Sequence, residues 1–329
     1  MKRDTLKSLT WDEENSQLVL IDQRKLPHKL EYFICDNYED VAFAIEDMVV
    51  RGAPAIGISA AYGMALAEIG GEDIEKAYNR LKNTRPTAVN LFWALDRCMR
   101  AYRDRRSILS EAKLIHREDM EACRRIGEIG ESIIEDGDTV LTHCNAGALA
   151  TSAYGTALGV IRFAHYRGKS INVVVDETRP RLQGAKLTSF ELKYEGIPVK
   201  IITDSTAGFL MSRGMIDKVI VGADRILKDY TVFNKIGTYS LAVLAKYHNI
   251  PFYVAAPTST FDFKSSIEDV TIEERDEREV LYIEGKRIAP EGVGAYNYGF
   301  DITPFELITG IITERGIIYN ENDNRGNSF

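Results

Sequence analysis

The sequence has little cysteine and no long apolar run. Its four cysteines, Cys35, Cys98, Cys123 and Cys144, lie far apart and form no CxxC pair, which argues against a structural zinc site and a disulfide scaffold. No stretch approaches the ~18 apolar residues that a membrane span needs, and the N-terminus lacks the apolar segment of a signal peptide. We therefore expect a cytoplasmic protein that does not enter a membrane.

Basic clusters and nucleotide-binding loops are also missing. The formal net charge is −8, and there is no basic stripe of the kind that binds nucleic acid. The charge run IEERDERE at 272–279 mixes both signs, so we interpret it as a solvated surface face. No GxGxxG follows a predicted strand, and GxxxxGK followed by Ser or Thr does not occur. A protein this acidic that binds an anion must place a few cations locally.

The spacing of apolar residues divides the chain in two. The first part has two predicted strands, at 18–23 and 29–34, followed by a series of helices. These predicted helices are 38–50, 54–69, 72–82, 88–103 and 111–135. We place the boundary near residue 128, which gives an N-terminal domain at 1–128 with a small sheet plus helices.

The second part, 129–329, alternates short apolar runs with helical patterns. Continuous Val and Ile runs of this kind are typical of a parallel sheet covered by helices on both faces, so the predicted fold class is α/β. The runs are 139–144, 171–176, 199–204, 217–222 and 251–256.

Reactive side chains stand where these runs end. Cys144, Asp176, Asp204 and Asp224 each close an apolar run or follow it within three residues. In an open parallel sheet, ligands bind outside the carboxyl ends of the strands, and these ends share one edge. We therefore expect the four side chains to meet in one crevice.

Three Arg-containing segments precede a proline. Arg51-Gly52-Ala53-Pro54 opens a helix, where proline suits the first turn, free backbone amides attract phosphate and Arg51 can add a bidentate contact. Arg85-Pro86 and Arg179-Pro180 repeat the pattern, and three occurrences favour an anionic ligand. The segment 234–238, which starts with Asn234 and Lys235, is predicted to begin the next helix, and an ordinary asparagine cap explains it without a ligand.

Seven motifs, in order and at similar spacing, resemble the S-methyl-5-thioribose-1-phosphate isomerases of methionine salvage. The resemblance runs from about residue 18 to about residue 319, and AYNYGFDITP departs from it by placing Tyr298-Gly299 where Pro-Ala is typical. Sister enzymes act on 5-deoxyribose 1-phosphate or ribose 1,5-bisphosphate, and more distant relatives are non-enzymatic regulatory subunits of a translation-initiation exchange factor. The motifs are VRGAPAIG, TRPTAVNL, HCNAGALAT, DETRPRLQGAKLT, VGADRI, NKIGTY and FDITPFELITGIITERG.

The resemblance implies an aldose-phosphate to ketose-phosphate isomerase without metal or nucleotide cofactor. It implies a Rossmann-like second domain, a homodimer, and Cys144 and Asp224 as the catalytic pair. The expected substrate is S-methyl-5-thio-α-D-ribose 1-phosphate. The alternatives are a sister isomerase, a non-catalytic regulatory protein of the same fold, and an unrelated metal hydrolase using His143, Cys144 and the strand-end aspartates. The substrate-binding residues that the resemblance implies are Arg51, Gly52, Ala53, Arg85, Gln183, Asn234 and Lys235.

The chemistry of a sugar 1-phosphate suits these two catalytic residues. Its anomeric carbon is blocked, so the ring oxygen must be protonated, and Asp224 after an apolar run is a candidate for a neutral acid. A hydrogen must then move from C2 to C1, either through Cys144 as a thiolate or by a direct hydride shift in a dry pocket that Cys144 shapes. His143 is not expected to act as the base for Cys144, because neighbouring strand residues point to opposite faces.

Two further expectations concern space in the site. Small residues follow Cys144 in the segment 146–148, and we expect that bulk there would block the substrate. A methylthio group needs an apolar pocket, for which Trp93, Tyr298 and Phe300 are candidates.

Overall fold

The first described part of the chain is a small antiparallel sheet. The computed structural model describes residues 5–85, 89–323 and 325. The strands predicted at 18–23 and 29–34 pair with each other, with Leu20 opposite Phe33, and a strand that was not predicted flanks them. The three strands are β1 (Leu9–Asp12), β2 (Gln17–Ile21) and β3 (Tyr32–Cys35).

The five predicted N-terminal helices all form, and α2 lies at their centre. Small residues let its neighbours come close: a Cβ on Gly57 would stand 2.7 Å from the Asn90 carbonyl oxygen. Apolar side chains between Leu9 and Ile115 make one continuous core around α2. The helices are α1 (Tyr38–Glu46), α2 (Ala53–Ile69), α3 (Ile74–Lys82), α4 (Val89–Arg103) and α5 (Ile108–Gly130).

Helix α5 joins this core to the second one. It packs on α2 at one end and on the later helix α6 (Ala157–Tyr166) and the C-terminal sheet at the other. Ile126 belongs to the C-terminal core, whereas Ile115 belongs to the N-terminal one. The boundary near residue 128 therefore falls within a helix that both cores share, and the division into two domains stays a prediction. No helix in the described parts of the chain meets the length and apolarity of a membrane span.

The C-terminal sheet has seven strands, in the order β16-β15-β10-β7-β4-β5-β6. All five predicted runs are strands of this sheet, and each pairs in parallel with its neighbours among them. Only the last hairpin, which was not predicted, adds an antiparallel strand. The strands are β4 (Thr139–Thr142), β5 (Asn172–Asp176), β6 (Val199–Ile202), β7 (Lys218–Val221), β10 (Phe252–Ala255), β15 (Gly310–Thr313) and β16 (Gly316–Tyr319).

The order of these strands reverses next to β4. From β4 the chain adds β5 and β6 toward one edge, and it then crosses back to place β7 on the other side of β4. Crevices that bind ligands form at such a reversal, outside the carboxyl ends of the strands. The loops after β4 and β7 are therefore the expected position of a site.

Helices cover both faces of the sheet. Alternate residues of β4 show this. Val140 packs in the core on the α6 side, and Leu141 packs in the core on the side of α8 (Ala207–Ser212) and α9 (Thr238–Tyr247). The segment before α7 starts with a π-helical turn at Gly184–Thr188. The remaining helices are α7 (Ser189–Tyr194), α8 (Ala207–Ser212), α9 (Thr238–Tyr247) and α10 (Arg278–Leu281).

The C-terminal part has a second sheet, which begins after β7. It has four strands in the order β11-β8-β9-β14. This sheet corrects the prediction that Asn234 and Lys235 begin a helix, because both residues end strand β9. Helix α9 starts only at Thr238, and the Asp301 carboxylate caps it by accepting backbone N–H groups. Residues 263–299, which we call the strap, leave this sheet and return to it. The strands are β8 (Arg225–Leu227), β9 (Val232–Lys235), β11 (Phe261–Asp262) and β14 (Phe300–Thr303), and the strap contains the hairpin β12 (Tyr282–Ile283) and β13 (Lys286–Arg287).

A fully buried carboxylate holds the loop that follows β4. Glu191 accepts the backbone N–H groups of Ala148 at 2.7 Å and Leu149 at 3.2 Å, and the Asn145 side chain at 2.8 Å. Arg162, which is also fully buried, balances its charge at 2.6 Å. Gly147 passes so close that any side chain would overlap the carboxylate. Space for Glu191, rather than for a substrate, is thus the reason that residue 147 has no side chain.

We expect Gly147→Ala to lower the free energy of unfolding by about 1–3 kcal/mol, the usual cost of forcing an extra methyl group into a packed interior. Urea denaturation would measure the loss. The matched control is Gly159→Ala in α6, where a new Cβ meets its neighbours at an ordinary 3.5–4.0 Å and helix propensity improves. Equal stability of the two variants would contradict this account of the loop.

Candidate active site

A cavity of about 210 Å³ opens where the strand order reverses. The ends of β4, β7 and β9 and the start of α2 all contribute to its lining. Every one of the nine residues expected to act in catalysis or binding lines it, so the structure brings the whole predicted set together. They are Arg51, Gly52, Ala53, Arg85, Cys144, Gln183, Asp224, Asn234 and Lys235.

Cys144 occupies a strained position directly beyond β4. Its φ of 64° lies in the left-handed region, which is costly for a residue with a side chain. Hydrogen bonds hold it there: its N–H donates to the Thr178 hydroxyl at 2.9 Å, and its carbonyl accepts from the Thr188 hydroxyl at 2.5 Å. The Gln183 amide nitrogen stands 3.5 Å from Sγ. Of the four cysteines, Cys144 alone is not buried, so its thiol faces the cavity.

Asp224 stands three residues beyond β7. Its backbone N–H donates to the Phe233 carbonyl at 2.9 Å, which ties it to β9. Enclosure by the protein raises the pKa of the Asp224 carboxyl, although the positive charge of Lys235, among others, acts in the opposite direction. In the described part of the chain no side chain makes a hydrogen bond to this carboxyl group. It is therefore suited to act as a neutral acid.

Arg51 and Arg85 are two arginines of the cavity that lack a carboxylate partner among the described residues. Gly52, with a φ of 89°, approaches the Ala150 backbone so closely that no side chain fits, and this contact sets Arg51 beside the loop after β4. Burial lowers the pKa of Arg51 to about 10 and lowers that of Arg85, so Arg51 stays charged at neutral pH. Within the described residues neither arginine has a carboxylate at ion-pair distance, and Nη1 of Arg85 is buried without a partner. Both are placed to bind an anion.

Lys235 and Gln183 complete the polar lining. Nζ of Lys235 donates to the Gly299 carbonyl at 2.8 Å and lies 4.5 Å from the centre of the Phe300 ring. Oε1 of Gln183 is buried and has no hydrogen-bond partner among the described groups, so it can accept one from a ligand. Asn234 donates to the Thr238 hydroxyl at 2.9 Å.

The four strand-end residues do not all share the crevice, which corrects that expectation. Asp176 and Asp204 are absent from the lining among the described residues. The Asp204 carboxylate accepts the N–H of Thr178 at 2.7 Å, and Asp176 pairs with His143, with 2.9 Å between Oδ2 and Nδ1. They lie behind the loop of Cys144 and support it.

The group His143, Asp176 and Asp204 has the spacing of metal ligands. However, both ring nitrogens of His143 face acceptors, Asp176 and the Ile236 carbonyl, each at 2.9 Å. Burial disfavours the charged ring, but Asp176 outweighs this effect and raises the pKa of His143. Because both nitrogens already face acceptors, a metal could bind the ring only by displacing one of these contacts. This geometry argues against the metal hydrolase, and the expectation that no metal is used stays a prediction.

Two other expectations change, and one is not tested. The Arg179 guanidinium donates to the carbonyl groups of Pro180 and Val280, and the following helical turn begins only at Gly184, so Arg179-Pro180 is not a helix entry. Pro86 lies outside the described residues. Of the three candidate aromatic residues, Phe300 lines the cavity. Trp93 lies beside Arg97 in another cavity, and Tyr298 stacks on Tyr296.

The strap contributes to the lining of the cavity, which was not predicted from the sequence. The run at 272–279 was interpreted as solvated surface, yet Ile272, Glu273 and Arg275 line the cavity. Mixed charges at irregular spacing carry no signal of burial, because the partner of each charge is fixed only by the fold.

Comparisons with known proteins agree with this geometry. A model described as the initiation factor 2 subunit family matches residues 49–320. A Methanocaldococcus jannaschii protein provisionally named methylthioribose-1-phosphate isomerase is 75% identical over 318 residues, which cover 97% of each chain.

Two solved structures are also similar. A crystal structure of 5-methylthioribose 1-phosphate isomerase from Pyrococcus horikoshii has a TM-score of 0.90 and 44% identity, with 98% of this chain and 95% of that chain covered. A crystal structure from A. fulgidus described as the delta subunit of translation initiation factor eIF-2B has a TM-score of 0.86 and 48% identity, with 99% and 100% covered.

The unpaired arginines predict that inorganic phosphate binds in the cavity. Arg51→Ala should weaken this binding about 10–150-fold, because a charged hydrogen bond contributes roughly 1.5–3 kcal/mol. Arg51→Lys should recover only part of the affinity, since lysine cannot make the bidentate contact. Isothermal titration calorimetry with phosphate would measure the effect.

Arg167→Ala is the control, since it removes the same charge from a side chain that is 63% exposed and outside the cavity. The same phosphate affinity in Arg51→Ala and in Arg167→Ala would show that the anion binds elsewhere.

Proposed function

The chain belongs to the initiation factor 2 subunit family, and we propose that it isomerises S-methyl-5-thio-α-D-ribose 1-phosphate to S-methyl-5-thio-D-ribulose 1-phosphate in methionine salvage. The observation that carries the proposal is the meeting of Cys144 and Asp224 with two unpaired arginines in one cavity at the strand-order reversal. The similarity to the P. horikoshii isomerase over nearly the whole chain supports the same substrate.

The apolar part of the lining favours a substrate with one phosphate group. Arg225 pairs with Asp262 at 3.3 Å and Arg275 with Glu273 at 3.1 Å, whereas Arg51, Arg85 and Lys235 have no carboxylate at ion-pair distance within the described residues. These cations suit a phosphate group, and the substituent on C5 separates the candidates, because a second phosphate would need further cations where a methylthio group needs apolar contacts. The apolar part of the lining suits a methylthio group and includes Met48, Leu187, Phe233 and Phe300.

Asp224 supplies the proton that opens the ring. Its raised pKa favours the neutral acid, which donates its proton to the ring oxygen as the bond between C1 and that oxygen breaks. The phosphate stays on C1, held by Arg51 and Arg85. Because the bond between C1 and the ring oxygen is broken, C1 becomes electron-poor and the C2 hydrogen becomes acidic.

Cys144 moves the hydrogen from C2 to C1. As a thiolate it removes the C2 proton, which leaves an enol between C1 and C2. The thiol then returns the proton to C1. The Asp224 carboxylate, which gave its own proton to the ring oxygen, takes the C2 hydroxyl proton, and this step forms the ketone and restores the acid. Arg51 and Lys235 line the same cavity as Cys144, so the proton route would have two cations beside the sulfur. A direct hydride shift makes no use of them, and we therefore propose the proton route.

A regulatory, non-catalytic role is the second candidate, since the A. fulgidus neighbour is described as an initiation-factor subunit. An assay with the methylthio, deoxy and bisphosphate sugars separates the possibilities. Turnover of the methylthio substrate alone, or at the highest kcat/KM, supports the proposal. A folded protein that converts none of the three would support the regulatory role instead.

Cys144→Ala and Asp224→Asn should each lower kcat about 10²–10⁴-fold, the usual contribution of a positioned acid or base. If the two residues act as one unit, the kcat of the double variant should be only slightly lower than that of the less active single variant. Turnover of the methylthio substrate would be measured, with circular dichroism to verify folding.

Asp229→Asn is the matched control, since Asp229 is an exposed carboxylate five residues along the chain. In the unaltered protein kcat/KM should fall as the pH rises through the raised pKa of Asp224, because the acid form is then lost. Asp224→Asn should abolish this decrease. A near-normal kcat in either catalytic variant would contradict the assigned roles.

We also propose that the chain forms a homodimer and works in the cytoplasm. The four cysteines are free thiols, as is usual in a reducing compartment. Tyr239, Val243 and Tyr247 form an exposed stripe on α9, with Phe209 of α8 beside it, and such apolar surface is typical of an interface between copies.

Light scattering should therefore give twice the monomer mass. Tyr247→Asp should raise the dimer dissociation constant at least about tenfold, because it puts a charge where Tyr247 is 81% exposed. Tyr319→Asp, at an exposed tyrosine on β16, is the control. A dimer that resists Tyr247→Asp would place the interface on another surface.

A further inference from the structure

The strap delivers a buried arginine to the cavity. Arg275 lies in the run that the sequence presents as mixed surface charge, yet its side chain is only 12% exposed and lines the cavity. Its charge interacts with those of Arg85, Asp224 and Lys235, so it belongs to the same electrostatic cluster. No motif assigned it a role.

The two ends of the strap hold Arg275 in place. Its N–H donates to the Asn297 carbonyl at 2.7 Å, and the Gly299 N–H donates to the Glu273 carbonyl at 2.8 Å. Glu274 and Tyr298 form an antiparallel bridge between these bonds. The carbonyl of Gly299 is the one that accepts from Lys235. Arg275 and Lys235 are therefore positioned by the same few residues.

Part of the Arg275 guanidinium has a partner and part does not. Nη2 lies 3.1 Å from the Glu273 carboxylate, and the group is 5.8 Å from the centre of the Phe300 ring. Nε is buried and has no hydrogen-bond partner among the described residues. A buried donor left without a partner is costly, and in a binding cavity the missing acceptor is expected to come from the ligand.

We propose that Arg275 is a substrate-binding residue, whose Nε donates to a phosphate oxygen of the sugar phosphate. The proposal rests on the function proposed above for its substrate. Together with Arg51 and Arg85 it surrounds the dianion, and Glu273 offsets part of its charge while the cavity holds no anion. The strap thereby links binding of the phosphate to the segment that covers the site.

Gly299 leaves space for the side chain of Arg275. A Cβ at position 299 would lie 3.1 Å from Nε, so a methyl group would press directly on the donor. The position is also where the sequence departs from the Pro-Ala that is typical of its family. An alanine there would make Nε move by a few tenths of an ångström, so the glycine leaves this donor in its present position.

The test measures phosphate affinity by calorimetry, and KM and kcat with the methylthio substrate. Arg275→Ala should weaken phosphate binding about 10–150-fold and lower kcat/KM by a similar factor. Arg275→Lys should recover only part, because lysine cannot supply Nε–H. Gly299→Ala should give a smaller loss in the same direction. Arg278→Ala removes the same charge from an exposed position in the strap and should stay within about twofold.

Glu273→Gln separates binding from a purely structural role. If Arg275 only braces the strap through Glu273, breaking that ion pair should weaken phosphate binding as Arg275→Ala does. If Arg275 binds the anion, Glu273→Gln should leave the affinity equal or higher, because the competing carboxylate is gone. Weaker binding in Glu273→Gln, or unchanged phosphate affinity in both Arg275→Ala and Gly299→Ala, would overturn the proposal.

Failure of the proposed function gives a different result. In that case the unaltered protein converts none of the sugar phosphates or prefers the deoxy or bisphosphate sugar. The calorimetric comparison of Arg275→Ala with Arg278→Ala still decides whether Arg275 binds an anion.

Discussion

The buried carboxylate of Glu191 is the interaction on which the site depends. It gathers the loop after β4 by accepting from two backbone N–H groups and the Asn145 amide, and Arg162 keeps this charge tolerable in an interior without water. Thr188, less than one turn before it, holds the carbonyl of Cys144. Further along the same loop, Ala150 meets Gly52 and so sets the start of α2. One ion pair thus positions both the Cys144 thiol and Arg51.

The cavity is costly for the protein that contains it. Cys144 and Thr178 both hold left-handed backbone angles, Asp224 is a carboxyl group enclosed by protein, and Arg85 has a buried donor without a partner. Each feature lowers the stability of the protein, and costs of this kind are typical of functional sites. A sugar phosphate would relieve several of these costs together, since it brings both a dianion and hydrogen-bond acceptors. This is how a chain with a net charge of −8 can attract an anion.

Much of this could be predicted from sequence because local patterns determine it. Val and Ile runs alternating with helices gave the parallel strands, and the placement of Cys144 and Asp224 after two of them led to the site. The order of the strands could not be predicted, and that order decided that Asp224 faces the cavity while Asp176 pairs with His143. The second sheet was missed because its strands mix polar and apolar residues, as in VFNK and FDIT, and so form no continuous apolar run. Arg275 was missed because its burial comes from pairing between the distant ends of the strap.

The π-helical turn at Gly184–Thr188 makes the site depend on the number of residues as well as on their kind. Gln183 and Thr188 both reach Cys144, although they are five residues apart. In a regular α-helix, at about 100° per residue, side chains five apart point about 140° away from each other. The wider turn brings such positions to the same side. Removing one residue from it would leave the chemistry of both side chains intact and yet separate them, so chain length here is itself a functional property.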